Sequence, residues 1–186
     1  MATLILDTSH KLLAVGIVKD NQVLASLQED MRQKQSEKLV YFIEAVLNKA
    51  NISKKEIDSI VLTDGPGSYT GLRIAMTFTK VFALTQDIKV YTISTFLSIS
   101  GKKDGFVMLD ARSKRVFGAH VKDGVVLDTD IYNLSDISEA WGPFYGDTSL
   151  IGLENHFGEV VFNINELKES WKVVESIDTL SPRYAS

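Results

Sequence analysis

The 186-residue chain contains no cysteine, which excludes a disulfide framework, a thiol nucleophile and a thiolate-bound metal. No apolar run approaches the ~20 residues of a membrane-spanning helix. The opening residues, Met1-Ala-Thr-Leu-Ile-Leu-Asp7, lack the basic start and long apolar stretch of a secretion signal. The expected location is the cytoplasm, with no membrane partner. Histidine is scarce, and His10, His120 and His156 never fall four apart, so spacing supports no metal site on a helix face. Low-complexity linkers and coiled-coil heptads are missing as well. So is a basic excess: residues 1–97 carry 11 Lys and Arg against 10 Asp and Glu, and residues 98–186 carry 9 against 14. A chain of net charge −4 does not present the basic face of an autonomous RNA binder.

What the chain does have is 45% hydrophobic residues, enough for one large domain or two small lobes. Residues 3–9, 12–18 and 23–27 read as three consecutive strands, with Asp20-Asn21 as turn chemistry between the last two. From Ser36 the pattern becomes helical, with Leu39, Val40, Ile43, Val46, Leu47 and Ala50. Ser53-Lys-Lys-Glu56 spells a capping box, Ile60-Val61-Leu62 a buried strand, and 90–93 a further strand followed by a short apolar helix at 95–99. After the polar break Lys102-Lys-Asp-Gly105, residues 106–110, 115–121 and 125–132 repeat the three-strand opening, with Asp123-Gly124 as a hairpin turn. Beyond Asp136 the pattern loosens to strand-like 144–145 and 150–152 and a helix-like 164–171. The expectation is a duplicated lobe, 1–98 and 99–186, the second abbreviated.

The segment Asp64-Gly-Pro-Gly-Ser-Tyr-Thr-Gly-Leu-Arg73 joins a strand to a helix marked by Leu72, Ala75, Met76, Thr79, Phe82 and Ala83, with Ser68 or Thr70 available as N-cap. Its glycines permit positive φ and close backbone approach. Amides at a helix start attract anions or a partner's acidic side chains. The Gly-Lys-Ser/Thr ending of a Walker loop is absent, the Gly-x-Gly-x-x-Gly spacing does not fit, and a plain strand-to-helix turn remains a competing reading.

This string, with Thr3-Leu-Ile-Leu-Asp-Thr-Ser9, Gln35-Ser36-Glu37 and Asp110-Ala111-Arg112, resembles the TsaB (YeaZ) family, with Tyr69 where that family usually has Phe. The resemblance implies an α/β protein of actin-like, sugar-kinase-like (ASKHA) architecture with two RNase-H-like lobes. It also implies a non-catalytic subunit of the machinery that makes threonylcarbamoyladenosine in tRNA. Such a subunit would bind TsaD, with TsaE joining, or pair with itself when TsaD is absent, and would touch tRNA only through the complex. TsaD carries two metal-binding histidines which, in register, fall on Thr95 and Ile99 here. A hydroxyl and an alkyl group do not replace two imidazoles.

No catalytic, cofactor-binding or metal-binding residue is therefore assigned. Asp7 and Thr8 read as local ties at a strand end, and Ser9 to Leu13 holds no glycine for a phosphate hairpin. Asp110 with Arg112 reads as a solvated turn, and Asp64 as a turn residue. Both helices carry apolar arcs wider than one core stripe needs. The expected partner interface is Ser36, Leu39, Val40 and Ile43 on one helix, with Tyr69, Thr70, Arg73, Ile74, Thr77 and Phe78 on the other. Near the end, Pro182-Arg-Tyr184 resembles the family's Pro-x-Tyr-Leu-Arg, with Ala185 and Ser186 in the last two places. The competing readings are a degenerate sugar-kinase-like phosphotransferase that binds ATP, and a metallopeptidase-like enzyme.

Overall fold

In the first strand, Leu4 and Leu6 face one side and Ile5 the other, and all are buried, so the sheet they found must be covered on both faces. The computed structural model describes residues 1–31 and 34–183. Strands β1 (Ala2–Asp7), β2 (Leu12–Lys19) and β3 (Gln22–Asp30) form an antiparallel meander, turned at Asp20 and Asn21 with φ of 50° and 66°. Helix α1 (Gln35–Ala50) ends on Asn51 in the left-handed region. Ser53 N–H then donates to Glu56 Oε2 at 2.9 Å, as the capping box predicts. Strand β4 (Ile57–Gly65) lies parallel to β1, helix α2 (Tyr69–Ala83) follows the glycine loop, and β5 (Lys89–Ser94) lies parallel to β4. A short, wholly buried α3 (Thr95–Ser100) leads to the second half.

There β6 (Gly105–Asp110) and β7 (Arg115–Lys122) form a hairpin, joined by β8 (Val125–Val126), β9 (Asp130–Asn133) and β10 (Phe144–Gly146), the last parallel to β6. Helix α4 (Val160–Glu166) and β11 (Lys172–Val173) follow. The first sheet runs β11-β5-β4-β1-β2-β3 and the second β10-β6-β7-β8, with β9 also on β7. The order β3-β2-β1-β4 of the first sheet is thus repeated as β9-β7-β6-β10 in the second. This is the RNase-H-like order twice, in an α/β architecture of the actin-like, sugar-kinase-like class. The second copy is shortened: two 3-10 turns at Leu134–Asp136 and Glu139–Trp141 stand where the first has α1, and among the described residues the outer edge of β10 carries the single Gly146–His156 bridge rather than a strand matching β5.

One core lies between the first sheet and α1 and α2, joining Leu4, Leu6, Val15 and Ile60 to Leu39, Ile43, Val46 and Met76. A second joins the opposite face, through Ile5, Val18 and Val61, to α3, α4 and the inner face of the second sheet at Val107, Leu109 and Ala119. A third, around Phe106 with Tyr132, Trp141 and Phe144, covers the outer face of the second sheet. Among the described residues no helix is long and apolar enough to cross a membrane.

Three stretches depart from the sequence reading. The stretch 125–132 is two short strands rather than one, because the Asp128 carboxylate takes the His120 backbone N–H at 3.0 Å, where a strand partner would otherwise stand. Residues 148–151 form a 3-10 turn, ended by Gly152 at φ 83°. The helix expected at 164–171 instead spans Val160–Glu166, because Val160, Val161 and Ile164 supply its buried stripe.

The interlobe cleft and the exposed face of the paired helices

Asp7 ends β1 with no exposed surface, and its charge is balanced by donors from three elements. Ser9 donates to Oδ1 from both its backbone N–H (2.8 Å) and its Oγ (2.5 Å), Thr63 Oγ1 donates to Oδ1 at 2.9 Å, and Ser98 Oγ donates to Oδ2 at 2.8 Å. His10 Nδ1 accepts Leu12 N–H at 3.2 Å, which places the ring proton on Nε2. That N–H faces Asp7 Oδ2, with Nε2 3.5 Å from it, at the long limit of a hydrogen bond. Burial works to raise the Asp7 carboxyl, but His10 and the Ser9 hydrogen bonds outweigh it and hold the group at about 2. The order is hydroxyl, carboxylate, imidazole, so Asp7 separates Ser9 from His10 and no nucleophile–base pair is formed.

The glycine loop packs on the chain's own backbone. A Cβ at Gly67 would collide with Ser9 O, one at Gly71 with Thr8 O, and one at Gly65, where φ is 121°, with Arg183 O. Ser68 N–H donates to Ser9 O at 2.7 Å, and Ser68 Oγ caps α2 by accepting Gly71 N–H at 3.2 Å. Thr8 Oγ1 donates to Gly71 O at 2.6 Å, tying the end of β1 to the first turn of α2. The close approach the glycines permit is therefore taken up by Thr8 and Ser9, just past β1, and by Arg183. These residues do not fit a phosphate cradle.

A cleft of about 940 Å³ opens between the lobes, lined by Ser9, Lys11, the starts of α1 and α2, Asp110, Arg112 and Asp147. Lys11 Nζ crosses it to Asp147 Oδ1 at 3.2 Å, and the other Asp147 oxygen accepts Asp110 N–H at 3.0 Å. His10 stacks on Phe157 with ring centroids 4.9 Å apart. At the expected Asp110 and Arg112 turn, the Asp110 carboxylate takes the Arg112 backbone N–H at 2.7 Å, so a backbone donor makes the local tie. Asp64, read as a turn residue, accepts Arg183 Nη2 at 2.7 Å.

The expected interface residues divide by depth. Ser36, Val40, Tyr69, Thr70, Arg73 and Thr77 are exposed on the outer side of α1 and α2, which pack against each other. Arg73 lies over the Tyr69 ring at 4.4 Å. Ile74 and Phe78 are half-buried against the first core. Leu39 and Ile43 do not belong to the exposed face: each is 3% exposed, because they occupy the stripe that α1 turns toward its own sheet. Tyr41, 68% exposed, and Val81, 58% exposed, complete the surface in their place. The Asp7 partners Thr63 and Ser98, and the Arg183–Asp64 pair, gave no signal in the sequence, since 56 to 119 residues separate them. The final positions Tyr184, Ala185 and Ser186 lie outside the described residues.

Thr95 and Ile99, the positions in register with histidines of TsaD, are fully buried on α3. Thr95 Oγ1 has no hydrogen-bond partner among the described residues, and Ile99 packs in the second core. One hydroxyl beside an alkyl group does not fit a metal, and among the described residues no group of three or more His, Asp or Glu could hold one.

Comparison with known proteins agrees with the topology. The family model described as TsaD, tRNA N6-adenosine threonylcarbamoyltransferase, matches residues 17–133. The tRNA threonylcarbamoyladenosine biosynthesis protein TsaB of Bacillus subtilis is 30% identical over 122 residues, 63% of this chain and 53% of that protein. TsaB of Buchnera aphidicola from Schizaphis graminum is 28% identical over 134 residues, 68% of this chain and 63% of that one. These matches span less than two thirds of either relative's length. The structure of YeaZ from Pseudomonas aeruginosa shares the fold, with a TM-score of 0.77 at 17% identity over 98% of this chain and 99% of that one. With its matched region running from β2 to β9, the chain belongs to the TsaD family, and its likeness within that family is to TsaB, or YeaZ.

Proposed function

We propose that this protein is a non-catalytic subunit in the synthesis of threonylcarbamoyladenosine in tRNA, and that it acts by binding a TsaD-type transferase through the outer face of α1 and α2. The observation that carries the reading is that face, where Val40 (50%), Tyr41 (68%), Tyr69 (58%) and Val81 (58%) stand exposed on two adjacent helices. Burying such side chains contributes ~1.5–3 kcal/mol each, so a few suffice to hold a partner. The names of the TsaB relatives support the pathway. The misfit of Thr95 and Ile99 to a metal supports leaving the transfer chemistry to the partner. TsaE joins this assembly, the same face pairs two copies when TsaD is absent, and tRNA is held mainly by the other subunits, in keeping with the acidic second half. The working units are the lobes 1–98 and 99–186, in the cytoplasm, with 172–183 of the second returning to pack on the first. Binding energy spent on one conformation of the transferase raises its population, which is how a subunit without chemistry activates another.

The test is titration of the full chain with a TsaD-type subunit by calorimetry, alongside its mass in solution. A defined heterodimer that Val40→Glu weakens by at least about tenfold is the expected outcome. A chain that stays monomeric at every ratio sinks the proposal.

A further inference from the structure

The last described stretch of the chain leaves the second sheet and returns to the first. Lys172 and Val173 pair with Thr92 and Tyr91 on the edge of β5, and Val174 N–H donates to Val90 O at 2.9 Å. Val174 and Ile177 pack on the first core, Leu180 is buried in it, and the 3-10 turn Ile177–Thr179 lies beside α2. The run then reaches the root of the glycine loop. There Arg183 holds Asp64 twice, its N–H donating to Asp64 O at 2.7 Å and its Nη2 donating to Oδ1 at 2.7 Å. The Asp64 side chain is 6% exposed, and the absence of a side chain at Gly65 makes room for the Arg183 carbonyl.

A loop rich in glycine has more backbone freedom than other sequences, so its position depends on ties from outside. Two ties flank this one: Ser9 O takes the Ser68 N–H on the α2 side, and Arg183 takes Asp64 on the β4 side. We propose that residues 172–183 are a strap and that Arg183 is a positioning residue: its grip on Asp64 sets the course of the glycine loop, and with it the first turn of α2, which presents Tyr69, Thr70 and Arg73 to a partner subunit. The strap stands on geometry alone, whereas the partner half rests on the function proposed above.

Hydrogen exchange on the 186-residue chain, with calorimetric binding to a TsaD-type subunit, tests both halves. In Arg183→Ala, amides of residues 67–72 exchange at least about tenfold faster, while those of β1 and β6 keep their protection. Asp64→Asn keeps an acceptor oxygen for Nη2 and gives a smaller rise. Affinity for the partner falls in the same order. Unchanged exchange at 67–72, or a uniform rise over both sheets, overturns the strap. A loosened loop with unaltered affinity overturns the link to the partner. Should the wild-type chain bind no partner, the proposed function fails and the exchange comparison still decides the strap. If Arg183→Ala does not fold, Arg183→Gln is read by the same criteria.

Discussion

A carboxylate with no exposed surface stays ionised only where donors replace its water, and Asp7 meets that condition through Ser9, Thr63, Ser98 and His10. Its depressed value means that folding stability from this group is present in full above its ordinary value of 3.8 and is lost as pH falls toward about 2. That drop corresponds to about 2 kcal/mol. Urea unfolding followed between pH 5 and pH 2 should show the wild type losing stability more steeply than Asp7→Asn, which has no such titration; parallel curves would remove Asp7 from the acid response. Asp7→Ala leaves the buried Ser9 and Thr63 hydroxyls and the Ser9 amide without their acceptor, while Ser98 Oγ keeps Thr95 O at 2.9 Å, and is expected to cost about 3–5 kcal/mol. At this scale the sequence was readable only locally. Asp7 and Thr8 read as local ties at a strand end, yet the local partner of Asp7 is Ser9, Thr8 reaches Gly71 instead, and Thr63 and Ser98 enter through parallel strand pairing and the buried α3, which residue types alone do not reveal.

At the scale of elements, helices α1 and α2 were the most legible part of the chain, because a 3.6-residue period over 15 or 16 residues is a strong signal. Periodicity marked the apolar arc of α1 without saying how much of it the sheet covers. The sheet takes Leu39, Ile43, Val46 and Leu47 and leaves Val40 and Tyr41 outside, so a stripe read as one partner surface is divided along its length. The division makes a paired prediction: Ile43→Ala should destabilise the chain by ~2–5 kcal/mol, whereas Val40→Glu should change stability by no more than about 0.5 kcal/mol. Chemical denaturation of the two variants reads this directly, and an Ile43→Ala chain as stable as the wild type would place α1 wrongly on its sheet. The glycine loop makes another. Gly67→Ala drives a methyl into Ser9 O, so it should destabilise β1 and α2 together whether or not any ligand is present. Equal melting temperatures for Gly67→Ala and wild type would return the loop to a role in which its glycines face a ligand. The strand-like reading of 150–152 gives way to a 3-10 turn at Thr148–Ile151, because a pair of apolar residues, Leu150 and Ile151, fits a strand or a 3-10 turn equally well.

Across the whole molecule, the repeat of the three-strand opening was visible in the sequence, but the way the copies are joined was not. Helices α3 and α4 fill the space between the sheets: Phe96, Ile99, Val160, Val161 and Ile164 form one core with Ile5 and Val61 on one side and Val107 and Leu109 on the other. Gln28 of β3 adds polar ties, donating to Gly158 O at 2.7 Å and accepting Val160 N–H at 2.9 Å. Neither sheet can lose this layer without exposing an apolar face, so the two lobes should unfold as one cooperative unit despite their separate sheets. The tryptophans are placed to report on each. Trp141 sits 5.1 Å from the Phe106 ring on the outer face of the second sheet, and Trp171 lies 5.6 Å from the Tyr91 ring at the edge of the first. In Trp141→Phe and Trp171→Phe chains, each with one remaining tryptophan, fluorescence and far-ultraviolet dichroism should give the same urea midpoint. Adding Ile164→Ala to either should lower both midpoints together, by the ~2–5 kcal/mol of a buried truncation divided by the urea m-value. Midpoints that separate between the two reporters, or an Ile164→Ala effect confined to one of them, would show that the lobes unfold independently and that the shared layer does not couple them.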